Sequence, residues 1–112
     1  MIVVGHTECG GAKYCVKEAS HAPGIVPPRT PIERWLSPLV TLARELHLGS
    51  LPPPEALSIL VKENVKRQVK NVAETDTIKE AWGRGENVSI HGLLYDLSTG
   101  LLSDLGVTQQ HP

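Results

Sequence analysis

His6 and Cys9 are the side chains in this sequence whose types and spacing most directly suggest chemistry. Neutral imidazole and thiolate are preferred partners of Zn²⁺. Here they follow the β-branched pair Val3-Val4 and immediately precede Gly10-Gly11. A structural zinc takes four ligands, and a catalytic zinc takes three and keeps a position open for water, so two donors describe part of a site. A plainer reading makes Cys9 a small packed hydrophobe beside a hydrogen-bonded His6. The position of both at the carboxyl end of a predicted strand, where ligands bind in open α/β sheets, supports the metal reading. Gly10 and Gly11 are open to two compatible uses. Small residues let a helix approach the strand closely, and exposed N–H groups at a helix N-terminus hold an anion.

The elements that must position these residues can be read from pattern. Residues 1–6 read as a short, fully buried strand of the kind found in parallel sheets, and residues 10–19 as the helix after it. Pro23, Gly24, Pro27 and Pro28 make residues 21–29 a loop. Thr30-Pro31-Ile32-Glu33 is a helix start, with Thr as N-cap, Pro in the first turn and Glu closing a capping box. Ser37-Pro38 is expected to break or restart that helix, and Leu39, Leu42, Ala43 and Leu46 carry it to a stop at Gly49. Pro52-Pro53-Pro54 reads as a stiff extended connector. Residues 55–73 form the clearest helix: Leu57, Val61, Val65, Val69 and Val72 recur at helical spacing, opposite a solvated face carrying Lys62, Lys66 and Lys70. Thr77-Ile78-Lys79-Glu80 offers a second capping box. Residues 88–96 read as a buried strand, Ser98-Thr99-Gly100 as a turn, and residues 101–105 as the returning arm of a hairpin. The order strand, helices, strand, strand suggests an α/β domain with a small sheet, and it leaves the first strand with an unpaired edge.

Bulk properties narrow the function classes. The 112 residues suffice for one small domain. With 11 basic and 12 acidic residues the formal net charge is -1, so no basic stripe argues for nucleic acid. No apolar run approaches the roughly 18 residues of a membrane span, and no secretory signal pattern opens the chain. The expected compartment is the cytoplasm, or an organelle if an N-terminal segment is missing. Cys9 and Cys15 lie six residues apart, and metal or thiol chemistry suits them better than a disulfide. Cys15 reads as structural or as a free thiol, a third ligand only if its helix fails to form. His91 reads as a core or interface residue in a strand, and His21, His47 and His111 as loop, helix-end and tail residues. The sequence contains no Ser-His-Asp arrangement, phosphate loop or dinucleotide fingerprint.

The run Val3-Val4-Gly5-His6-Thr7-Glu8-Cys9-Gly10-Gly11 resembles the second zinc motif of the β-class carbonic anhydrases. Glu63-Asn64-Val65, Gln68-Val69, Asn71-Val72 and Ala81-Trp82 resemble that family's long helix and the short helix after it. Val88-Ser89-Ile90-His91-Gly92-Leu93-Leu94-Tyr95-Asp96 with Gly100-Leu101-Leu102 resembles its late strand and hairpin. The segment 30–46 fits its mid-chain helices, so the resemblance covers nearly the whole chain in order. It implies a mainly parallel α/β sheet with flanking helices and a C-terminal antiparallel hairpin, an incomplete β-carbonic anhydrase fold forming one partial domain over residues 1–112.

The resemblance also implies a function: reversible hydration of carbon dioxide to bicarbonate by Zn²⁺, with His6 and Cys9 as metal ligands; Gly10 and Gly11, at the helix start, are the candidate anion- or substrate-binding positions. A bound zinc lowers the pKa of its water to about 7, which yields a hydroxide nucleophile at neutral pH. The implied partners are carbon dioxide and bicarbonate, and a second subunit in a homodimer or higher oligomer; neither nucleic acid nor membrane is implied. The family's Cys-x-Asp-x-Arg motif has no counterpart here. In the family it supplies the first zinc ligand and an Asp–Arg pair that orders the water. The expectation is therefore an N-terminally truncated member with no catalytic residue of its own identified. The alternative is an inactive remnant that pairs with a full-length paralogue.

Overall fold

The computed structural model describes residues 1–22 and 27–112, so Pro23 and Gly24 of the expected loop lie outside the described residues. The elements run β1 (Ile2–His6), α1 (Gly10–Ala19), α2 (Pro31–Glu45), a 3-10 turn (Leu48–Ser50), α3 (Pro53–Ala73), α4 (Asp76–Gly83), β2 (Ile90–Tyr95) and β3 (Leu102–Gln109). They divide into two compact units: a sheet unit of Met1–Thr7 with Lys62–Pro112, and a helical unit of Glu8–Val61. The α/β class expected from the element order is present. No helix among the described residues is long and apolar enough to cross a membrane.

In the sheet unit the strand order is β1-β2-β3. β1 pairs with β2 in parallel, Ile2 beside His91 and His6 beside Tyr95. β2 pairs with β3 antiparallel, with an irregularity between Gly92 and Leu93. The three-stranded sheet is thus mixed, one parallel pair and one antiparallel. Val65 and Val69 of α3, Ile78 of α4 and Ile90 of β2 form a buried cluster, and Val3 packs against it. Each such side chain, fully buried, stabilises the fold by about 1.5–3 kcal/mol. Gly92 sits under α3: a Cβ there would lie 2.9 Å from Val65 Cγ1 and 3.2 Å from Val69 Cγ2. The absence of a side chain is what lets helix and strand approach.

The expectation of a fully buried first strand is corrected. Side chains alternate along a strand, and in β1 only Val3 reaches the cluster, while Ile2 and Val4 are 59% and 51% exposed. A continuous apolar run therefore does not report two covered faces here. The unpaired edge of β1 was expected and is present among the described residues, since β1 is hydrogen-bonded to β2 alone.

The helical unit begins its second helix as the sequence predicts. Glu33 N–H donates to Thr30 Oγ1 at 3.3 Å, and the Glu33 carboxylate accepts from Thr30 N–H at 3.0 Å and Arg29 N–H at 2.7 Å. Those two backbone donors hold the Glu33 carboxyl below the usual carboxylate range. Pro38 does not break α2, which runs unbroken through it. Buried residues hold the helix on both sides, Leu36 before and Val40 and Ala43 after, so tertiary packing outweighs the lost backbone bond. The helix ends because His47 takes a left-handed conformation, φ 55°. Gly49 has another purpose: a Cβ there would meet the Ala19 carbonyl oxygen at 2.5 Å.

The triproline is not an extended connector. Pro53 and Pro54 form the first turn of α3, where their missing N–H groups are not needed, and the Pro52 carbonyl accepts from Ala56 N–H at 3.0 Å. The N-cap of α4 is Thr75, two residues before the expected Thr77, and it accepts from Ile78 N–H at 3.5 Å.

Candidate functional site

His6 is the last residue of β1, in the sheet unit, and is exposed. The ladder continues one bond past it, because Thr7 N–H donates to the Tyr95 carbonyl at 3.0 Å. The Thr7 hydroxyl oxygen accepts from Leu97 N–H at 3.0 Å. The Thr7 carbonyl oxygen lies 2.8 Å from His6 Nδ1. A carbonyl can only accept, so Nδ1 carries the proton in this contact, and in the neutral ring Nε2 keeps its lone pair. Metal-bound histidines commonly show this arrangement, one ring nitrogen donating to an oxygen and the other free to ligate.

Cys9 opens the helical unit's first helix. It is the N-cap of α1, with extended backbone (φ -67°, ψ 119°) and no side-chain cap bond, and its carbonyl accepts from Lys13 N–H at 2.9 Å. Its thiol is free and half-buried. The residue before it, Glu8, adopts φ 56°, the left-handed region in which a residue with a Cβ is uncommon. Its carboxylate pairs with Lys13 Nζ at 2.7 Å across the first turn of α1.

Gly10 and Gly11 form that first turn, which contains no acidic residue. A Cβ on Gly10 would meet open space. One on Gly11 would touch Leu36 at 3.5 Å and Cys9 Sγ at 4.0 Å, ordinary contacts. Neither position therefore demands glycine for space within the described residues, which weighs against the close-packing reading.

Three further candidate donors, Cys15, His91 and His111, have defined surroundings. Cys15 lies on a well-formed helix, fully buried, with its S–H 3.9 Å from the Leu36 carbonyl. Burial pushes its thiol up to about 12, with the neighbouring Cys9 and Glu18 adding to the shift. It is a structural thiol, and the condition for its being a third ligand is not met. His91 sits in β2 as expected, with Nε2 3.0 Å from Ser89 Oγ and Nδ1 3.0 Å from Thr108 Oγ1. His111 lies against the α4 end, Nε2 donating to the Trp82 carbonyl at 2.7 Å. Among the described residues no group of three or more His, Cys, Asp or Glu side chains could hold a metal ion. His6 and Cys9 thus suit zinc in kind and fall short of it in number. Thr7 and Glu8, which lie between these donors, are not marked as site residues by the sequence. Neither carries a pattern that marks it: a threonine at a strand end is ordinary, and a left-handed glutamate looks in sequence like any other.

Comparison with known proteins places these elements. A family model described as carbonic anhydrase matches residues 1–102. The chain is similar to a carbonic anhydrase of Saccharomyces cerevisiae, 33% identical over an alignment of 107 positions that covers 91% of this chain and 47% of that protein. Among solved structures it is similar to the Coccomyxa β-carbonic anhydrase in complex with acetazolamide, with a TM-score of 0.75, 30% identity, and coverage of 93% of this chain and 45% of that one. It is also similar to the β-carbonic anhydrase CafA of Aspergillus fumigatus, with a TM-score of 0.71, 32% identity, and coverage of 95% and 48%. Two tetrameric β-carbonic anhydrases of Sordaria macrospora are represented by a third match, with a TM-score of 0.69, 26% identity, and coverage of 96% and 52%. The chain spans about half the length of these relatives. With the strand, the His-x-x-Cys run, the long helix and the hairpin all in the family's order, this chain belongs to the β-class carbonic anhydrase family.

Proposed function

We propose that these 112 residues form part of a β-carbonic anhydrase domain and contribute two ligands, His6 Nε2 and Cys9 Sγ, to a zinc centre for the reversible hydration of carbon dioxide to bicarbonate. The observation that carries this reading is the placement of His6: its Nδ1 lies against the Thr7 carbonyl, and among the described residues its other nitrogen makes no hydrogen bond. The free Cys9 thiol is the second donor. The uncapped first turn of α1 at Gly10 and Gly11 suits an anion such as bicarbonate, because N–H groups at a helix N-terminus attract negative charge. Among the described residues no third donor joins these two, where a catalytic zinc takes three, and this chain by itself performs no catalytic step in this reading.

The test is native mass spectrometry after zinc loading and removal of excess, alongside a stopped-flow assay of carbon dioxide hydration. The 112-residue chain is expected to retain less than one zinc per chain and to give no turnover above buffer. Cys9→Ser should abolish the retained zinc and Cys15→Ser should leave it. Loss on Cys15→Ser with retention on Cys9→Ser would overturn the ligand assignment. The same shortage of donors favours a second reading, in which the chain is not itself a catalyst and acts by pairing with a second copy or a full-length paralogue. The open edge of β1 supports it. Light scattering with a measured hydration rate separates the two: a defined oligomer without turnover favours the second.

A further inference from the structure

We infer that Thr7 is a positioning residue that holds His6 in the Nδ1–H tautomer and so leaves Nε2 bare. The inference bears on the proposed ligand role of His6 but does not depend on any metal being bound. An imidazole free in water favours the opposite tautomer, with the proton on Nε2, so the tautomer that this contact requires needs a cause. The cause is the Thr7 carbonyl, 2.8 Å from Nδ1. That carbonyl belongs to the peptide joining Thr7 to Glu8, so its direction is set at the Thr7 Cα, and Thr7 is anchored through both its N–H and its side chain. Its N–H donates to the Tyr95 carbonyl at 3.0 Å, extending the parallel ladder beyond the His6 and Tyr95 pair. Its hydroxyl oxygen accepts from Leu97 N–H at 3.0 Å, a contact that spans 90 residues of sequence.

The two bonds come from either side of Tyr95-Asp96-Leu97, the segment that leaves β2. The Thr7 N–H and side chain therefore grip the same departing strand, which anchors the Thr7 Cα and leaves one torsion, ψ, through which the carbonyl is turned toward the imidazole. Valine has the shape of threonine without the hydroxyl, so it keeps the ladder bond and loses the Leu97 bond. Serine keeps both. This separates the grip of the hydroxyl from the β-branched bulk of the side chain.

The experiment is two-bond proton–nitrogen correlation NMR on histidine-labelled protein, with chelator present and at a pH where the imidazoles are neutral. His6→Gln identifies the His6 signals among those of the five histidines. Wild-type His6 is expected to show the Nδ1–H pattern as its majority form. Thr7→Val should shift the ratio several-fold toward Nε2–H, and Thr7→Ser should keep the wild-type ratio. A merely structural role for Thr7 would lower stability without moving that ratio. A majority of Nε2–H in the wild type overturns the inference at once, and that measurement needs no variant to fold. An unchanged ratio in Thr7→Val also overturns it. If the tautomer behaves as stated while His6→Gln leaves zinc retention unchanged, Thr7 keeps its role and the ligand assignment of His6 fails by itself.

Discussion

The sheet unit and the helical unit each carry one of the two candidate ligands, and they hold it by different means. His6 hangs from a backbone ladder: its strand register, the Thr7 bond to Tyr95 and the Thr7 hydroxyl fix it, while Ile2 and Val4 beside it are open. Cys9 is held by a helix start, with a left-handed residue before it and an ion pair across its first turn. Hydrogen-bonded strands set direction well without burial, whereas the helical unit relies on packed side chains and caps. The sheet unit should therefore be sensitive to changes in backbone spacing, and the helical unit to changes in volume and capping.

The sharpest test of that contrast removes volume from the helical unit. Leu60 is fully buried, and Leu60→Ala should cost about 2–5 kcal/mol in urea unfolding. Next, spacing in the sheet unit: Gly92→Ala places a methyl group 2.9 Å from Val65 Cγ1. Valine has no flexible end to swing away, so overpacking should cost about 1–3 kcal/mol. If Gly92→Ala were neutral in the same unfolding series, close approach of α3 to β2 would not be what the glycine serves.

A third comparison uses pH. Cys15 has a folded pKa of about 12 against 9.0 for an ordinary cysteine. Below pH 9 both states keep the proton and nothing changes. Above it the unfolded chain releases a proton that the folded chain retains, so stability falls as pH rises, by about 1.4 kcal/mol at pH 10. The fall should vanish in Cys15→Ala, and an identical alkaline profile for the two proteins would refute a buried thiol.

Smaller still are the caps. Thr30 makes a reciprocal capping box, and Thr30→Ala should cost about 1 kcal/mol. Thr75 accepts over a longer distance, 3.5 Å, while its hydroxyl donates to the Val72 carbonyl at 2.7 Å, so Thr75→Ala should cost less. Glu33 adds an acid-side effect in the helical unit. Its folded pKa lies below the usual 4.5, so its contribution is present above that pH and is lost as pH falls through the folded value. Urea midpoints measured downward from pH 5 in wild type and Glu33→Gln check this, and parallel curves would count against it.

What the sequence made legible follows the same division. Signals carried by one or two neighbouring turns read correctly: residues 10–19 as a helix, the Thr30 and Glu33 box, the apolar spacing of α3 and the hairpin turn at Gly100. Signals that depend on distant partners did not. Pro38 looks like a break until Leu36 and Val40 are seen to be buried on either side of it. Pro53 and Pro54 look like a rod until they are seen to need no N–H where they stand. Val4 looks like core until its strand is seen to have one covered face. At the candidate site, residue type was enough to nominate His6, Cys9, Gly10 and Gly11. The groups that orient them, a carbonyl at Thr7 and a left-handed turn at Glu8, are backbone states that no side-chain pattern announces.

Cys15 has one further consequence, for the bench. Thiol reagents attack the thiolate, and only where they can reach it. With its sulfur sealed against the Leu36 carbonyl and its proton firmly held, Cys15 is invisible to such reagents until the helical unit opens. In a Cys9→Ser background, the rate at which Cys15 is alkylated becomes a clock for that opening. A natural residue thus serves as a stability probe for one of the two units, with no label introduced into the fold.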